Sequence, residues 1–180
     1  MFSKWKKLGL IYKISKKHYW NKSHAMLPTP VLIKKNNFRV FFASRNLKNQ
    51  SHISFIDYDL IKKKIIYEYH KPSFYPGSLG SFDDNGVVPS SIIKIGKKMY
   101  LYYVGWKPQV TTRYSLVTGL AISNNNGLSF KRYSKAPILK TSDKEPYMIL
   151  TAPSVIKEKE IWRMWYVSCE KWKNKNYPIY

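Results

Sequence analysis

Acidic side chains are scarce in this 180-residue chain: 10 Asp and Glu stand against 32 Lys and Arg, a net charge of +22. Cysteine is scarcer still. Cys169 stands alone, which excludes an intramolecular disulfide and any Cys-cluster zinc site. No apolar run approaches the roughly 18–20 residues of a membrane-spanning helix. The basic N-terminus carries one apolar stretch, Leu8 to Tyr12. It is too short for a secretory signal and lacks a small-residue cleavage site, so the cytoplasm is the default expectation. Phosphate loop, dinucleotide fingerprint and His-x-x-x-His pattern are all missing, and no cofactor or metal is expected. Ser90 and Ser91 follow Pro89 without a Gly-x-Ser-x-Gly elbow, which argues against a serine hydrolase.

The surplus of positive charge first suggests nucleic acid. Arginine, the better reader of phosphate and base edges, occurs only at Arg39, Arg45, Arg113, Arg132 and Arg163. The remaining basic residues are lysines spread along the whole chain beside abundant Ile and Asn, a composition that A/T-rich codons produce. Specific nucleic-acid binding is therefore not expected, although it stays as an alternative. A weak, salt-sensitive attraction to anionic surfaces follows from the charge itself.

Aromatic residues are plentiful, at 16%. They concentrate in runs such as Arg39-Val-Phe-Phe-Ala, Met99-Tyr-Leu-Tyr-Tyr-Val and Arg163-Met-Trp-Tyr-Val, which read as strands. No dozen residues hold a helical apolar period, so an all-β fold is expected. Three segments repeat one grammar, opening at Pro30, Pro89 and Pro153. Each is a proline, a short apolar strand, a polar turn, an aromatic strand and a small residue. Two further strand signals separate successive repeats. Four strands in about 60 residues, repeated, describe propeller blades. The expected blades span about residues 23–75 and 82–140, with a partial third over 145–180. Asn176 to Tyr180 then begin the partial blade's third strand. Two and a half blades cannot close a ring, so the expectation is a fragment whose remaining blades lie in a missing C-terminal part. Its last aromatic edge should be an aggregation hazard.

The residues that carry a family likeness are Ser23-His-Ala-Met-Leu-Pro-Thr-Pro, Phe82-Asp-Asp-Asn-Gly-Val-Val-Pro-Ser-Ser, Leu101-Tyr-Tyr-Val-Gly-Trp, Gly119 to Phe130, Glu145-Pro and Trp162-Arg-Met-Trp-Tyr-Val-Ser. Over about residues 5 to 172 the chain resembles the five-bladed β-propeller glycosidase superfamily of arabinanases, fructosidases and mannoside phosphorylases. Its nearest likeness is to bacterial members encoded with surface-polysaccharide genes. The resemblance implies a carbohydrate substrate at one mouth of a central channel, between three carboxylates from the first three blades. Glycoside cleavage needs an acid for the leaving oxygen and a carboxylate for water or the anomeric carbon.

Elimination among the ten carboxylates leaves Asp83, Asp84 and Glu145. One of the Asp83–Asp84 pair should make the Asp-Asn-Gly turn, while the other, Asp83 by preference, faces sugar. Glu145 precedes the third innermost strand among apolar neighbours that suit an acid. The first blade reads Pro28-Thr-Pro30 where the resemblance implies an Asp-Pro, so His24 is its nearest candidate base. The catalytic candidates are thus Asp83, Glu145 and His24. Arg45, Asp84, Ser90, Trp106 and Trp172 are candidates for holding substrate. The leading reading is a glycosidase-like hydrolase or a glycoside phosphorylase or transferase. The absent first-blade carboxylate motivates the alternative, a glycan-binding or scaffold propeller without catalysis.

Overall fold

The computed structural model describes residues 4–180, and their regular structure is entirely β. β1 (Ser23–Lys34), β2 (Asn37–Arg45), β3 (Ser51–Asp59) and β4 (Lys64–Glu68) form a four-stranded antiparallel sheet in chain order. β5 (Val87–Ile95), β6 (Lys98–Pro108), β7 (Tyr114–Ser123) and β8 (Lys131–Arg132) form the next. β9 (Ile149–Glu158) and β10 (Ile161–Ser168) open a third blade. β11 (Lys171–Asn174) pairs with β12 (Tyr177–Ile179), which is where the third strand of that blade was expected to begin. A short parallel pairing of Leu116 and Val117 with Ile149 and Leu150 stitches the second blade to the third.

Period-two alternation explains the packing. Phe41, Ile53 and Phe55 project from one face of the first blade. They meet Val87, Met99, Leu101 and Tyr103 of the second, forming the main core between blades. The intervening residues Val40, Phe42 and Ile56 face the other way. The N-terminal segment covers them with Ile14 and Trp20. Tyr12 from the same segment donates to Glu68 at 2.9 Å.

The repeat prolines lie inside their strands rather than at their starts. β1 begins seven residues before Pro30, β5 two before Pro89 and β9 four before Pro153. Proline is tolerated there because β1 and β5 are edge strands, β9 meets β7 only at Ile149 and Leu150, and pairing near the prolines is irregular. The register shifts between Pro89 and Ser91, and twice between Ser23 and Thr29. The fourth strand of the second blade is short, with two residues in regular pairing. Among the described residues no helix is long and apolar enough to cross a membrane.

β10 presents Ile161, Trp162, Trp165, Tyr166 and Val167 to solvent, with Trp165 57% exposed. It is the outer strand of its sheet, so the open aromatic edge falls on β10 rather than on the final strand, where it was expected.

Candidate functional site

The three innermost strands share a mouth. Pro28 and Thr29 of β1, Val88, Pro89 and Ser90 of β5, and Thr151 and Ala152 of β9 line one cavity of about 350 Å³. That volume falls in the range of roughly 300–1,000 Å³ usual for small-molecule sites. The residue before each repeat proline, Thr29, Val88 or Ala152, lies on its wall. Later residues of the same strands, including Leu32, Ile93 and Ile156, line a separate depression. The rotational repeat thus gives the strands a common direction, and their early residues meet at one end.

Second strands complete the wall. Arg45 ends β2 and Trp106 lies late in β6. Asn49 and Ser51 come from the β2–β3 connection and the start of β3. Gly86 permits this closeness: a Cβ there would lie 2.3 Å from the Ser51 hydroxyl oxygen, and the two residues form a parallel bridge between blades. The Ser90 hydroxyl donates to the Pro153 carbonyl at 2.9 Å, tying the second blade to the third while its lone pairs remain acceptors. Thr29 likewise donates to the Leu27 carbonyl at 3.2 Å. Leu27 and Ala152 hold left-handed backbone conformations, with φ of 54° and 49°. Strain of this kind, costing about 1–3 kcal/mol per residue, gathers at functional sites.

The charge of the mouth departs from a glycosidase pattern. Arg45 is the one charged residue among those lining it, and no Asp, Glu or His joins it. Arg39, Arg132 and Arg163 pair with Asp57, Asp83 and Glu158. The half-buried Arg45 side chain makes no ion pair or hydrogen bond with any other described residue.

The expected carboxylates sit elsewhere. Asp83 is fully buried and holds the loop before β5 against the second blade. Arg132 Nε and Nη2 donate to its Oδ2 at 2.9 and 2.7 Å, and the Tyr103 hydroxyl donates to the same oxygen at 3.0 Å. Ser81 donates to Oδ1 at 2.9 Å. Gly119 makes room for this arrangement, since a Cβ there would lie 2.4 Å from the Tyr103 ring. Burial, with the Asp83 carboxylate beside it, pushes the Tyr103 phenol well above its ordinary value. Asp83 was expected to face sugar; here both its oxygens are committed to protein donors. Asp84 also serves the loop, accepting from the Gly80 amide at 2.8 Å with Lys107 Nζ 3.5 Å away.

His24 is exposed on the irregular start of β1, with Nδ1 2.8 Å from the Ser23 hydroxyl. Glu145 closes a tight turn with Ser142 before β9, and its Oε2 accepts from the Tyr166 hydroxyl at 3.0 Å. Trp172 packs edge-on to Tyr114, lining a different depression with Gln109, Tyr147 and Met148. The structure thus gathers Arg45, Ser90 and Trp106 at the mouth. Asp83, Asp84, Glu145, His24 and Trp172 lie outside its lining. Sequence reasoning missed Thr29 and Thr151, whose only signal is their closeness to the repeat prolines, and Asn49, which carries no such signal. It also missed Arg132, which lies 49 positions from its partner Asp83 with no local pattern to connect them.

Successive antiparallel sheets whose innermost strands meet at one mouth define a β-propeller architecture. A solved glycoside hydrolase superposes with a TM-score of 0.63 at 14% identity, over 92% of this chain and 47% of that one. The GH32 β-fructofuranosidase BmSUC1 of Bombyx mori gives 0.58 at 20% identity, over 79% of this chain and 29% of that one. At these identities the likeness is one of fold. Residues 28–180 match the glycosyl hydrolases family 32 N-terminal domain, and the chain belongs to that family. Uncharacterized proteins of two Mycobacterium tuberculosis strains are 38% identical over 169 residues, 93% of this chain. The chain spans 56% of the length of these relatives.

Proposed function

We propose that this chain forms the saccharide-holding part of a carbohydrate-active propeller, with sugar seated at the mouth where β1, β5 and β9 begin. The observation that carries this reading is the meeting of Arg45, Ser90 and Trp106, each from a different strand, at one cavity of about 350 Å³. An indole offers a face on which a pyranose ring stacks, and hydroxyls with an arginine fork fix its orientation. Family membership supports carbohydrate as the ligand class. The lining supplies no acid or base, so within these residues the mouth holds sugar without cleaving it.

Titration of the chain with neutral and acidic oligosaccharides, followed by calorimetry, tests the reading. Trp106→Ala should weaken whatever binds by about ten- to hundredfold, the scale of a stacked aromatic. Binding that ignores Trp106→Ala, or no saccharide binding, refutes it.

Hydrolysis is the second reading, favoured by the family and by Glu145, which Tyr166 positions in the turn leading to β9. On that reading Glu145 is the acid, and its base comes from outside the mouth described here. Release of reducing ends that disappears in Glu145→Gln would support it. Turnover that persists in this variant would remove Glu145 from the chemistry.

A further inference from the structure

We infer that the mouth selects saccharides carrying an oxyanion, a carboxylate or a phosphate, and that Arg45 is the residue that recognises it. The inference rests on the reading of this mouth as the saccharide site. A glycoside-cleaving mouth must stabilise a developing positive charge at the sugar ring, and carboxylates do that. Here the electrostatics are inverted. The positions before the three repeat prolines are Thr29, Val88 and Ala152, all neutral, and the charge facing the cavity is the Arg45 guanidinium.

Arg45 is half-buried on a wall that it shares with Met26, Val104 and Trp106, and no described carboxylate neutralises its guanidinium. Removing a cation from water beside apolar side chains is costly unless an anion or acceptors compensate it. A planar fork of N–H groups matches carboxylate and phosphate oxygens two at a time, and such bonds strengthen where water is excluded. The net charge of +22 adds a diffuse attraction that concentrates anions near the surface without selecting any one. Selection comes from the fork beside a stacking face, and Trp106 and Ser90 then read the sugar that carries the charge.

The test titrates the 180-residue chain with D-glucuronate, D-glucose 1-phosphate and D-glucose at about 0.15 M salt, where diffuse attractions are screened beyond about 8 Å. Acetate and inorganic phosphate serve as sugar-free controls. Saturation-transfer NMR and calorimetry read binding in the unmodified chain, Arg45→Gln, Arg45→Lys and Lys62→Gln, the last in the exposed β3–β4 turn. At least one charged sugar should bind about tenfold or more tighter than glucose and than its free anion. The tighter of the two identifies carboxylate or phosphate. Arg45→Gln should lose about ten- to hundredfold of that affinity, and Arg45→Lys should recover only part of it. Lys62→Gln should leave it unchanged. Charged-sugar binding that is equal in Arg45→Gln would mean diffuse lysine attraction and overturn the inference. Glucose bound as tightly as the charged sugars, with loss in Trp106→Ala, would overturn it while leaving the saccharide site in place. Free anions bound as tightly as the sugars would also overturn it. Binding of none of these probes would overturn it, and the saccharide reading itself falls if the oligosaccharides also fail.

Discussion

Replacing Asp83 by Asn removes one charge from a fully buried cluster with almost no change of volume. Four donors converge on the carboxylate: two from Arg132 and one each from Tyr103 and Ser81. The amide retains one acceptor oxygen, introduces two donors into donor-rich surroundings, and leaves Arg132 without its counter-ion. Breaking a buried pair in this way costs about 3–5 kcal/mol. Arg132 is 24% exposed, keeps a bond to the Tyr75 carbonyl and lies over the Phe74 ring, so water and these partners offset part of the loss. The lower end, about 3 kcal/mol, is expected. For a domain of this size that lowers the melting temperature by about 6–12 °C. Circular dichroism during heating measures the shift, and saccharide titration well below the transition measures the site. Adding Arg132→Met should recover part of the loss, because the orphaned charge is removed and an apolar stem remains over Phe74. The account expects unstable protein with an intact mouth. Asp83→Asn with unchanged melting and abolished saccharide binding would refute the structural role and return Asp83 to the sugar.

Gly119→Ala should destabilise by about 1–3 kcal/mol in chemical unfolding, because the new methyl displaces the Tyr103 ring from Asp83. Ala152→Gly should stabilise by about 1 kcal/mol in the same assay, since glycine relieves a left-handed φ of 49° at the mouth. Burial holds the His52 imidazole below its ordinary pKa of 6.5, so the unfolded chain binds the proton more readily. His52 therefore contributes stability at neutral pH that is lost as pH falls below about 6.5, and His52→Gln should flatten that part of the melting-versus-pH curve. The exposed aromatic edge of β10 should make the 180-residue chain self-associate, and Trp165→Lys should reduce that association in light scattering.

The strands were legible because their aromatic and β-branched residues alternate, and the blades because that alternation recurs behind Pro30, Pro89 and Pro153. The strand starts were less legible. Irregular pairing early in β1 and β9 admits residues such as His24, Leu27 and Ala152 in left-handed conformations, and no propensity announces them. Arg45, Ser90 and Trp106 were found because each lies beside the repeated grammar, which the fold converts into nearness to one mouth. The carboxylates were chosen by elimination and by their place in the loops that lead into the innermost strands. Asp83 has the composition of a catalytic acid in a turn, yet its fate is set by Arg132, Tyr103 and the missing side chain of Gly119, all distant in sequence. Such a buried cluster is invisible until the sheet closes.

The most direct measurement of where sugar binds uses methionine methyl groups as reporters. Met26 lines the mouth, Met148 lines the depression beside Trp172, Met164 lies on β10, and Met99 is buried in the core. With 13C-methyl-labelled protein, titration with D-glucuronate and with the oligosaccharides that bind should move the Met26 resonance and leave the Met99, Met148 and Met164 resonances in place. A saccharide that moves Met148 while Met26 stays fixed would place the site beside Trp172 and contradict the account.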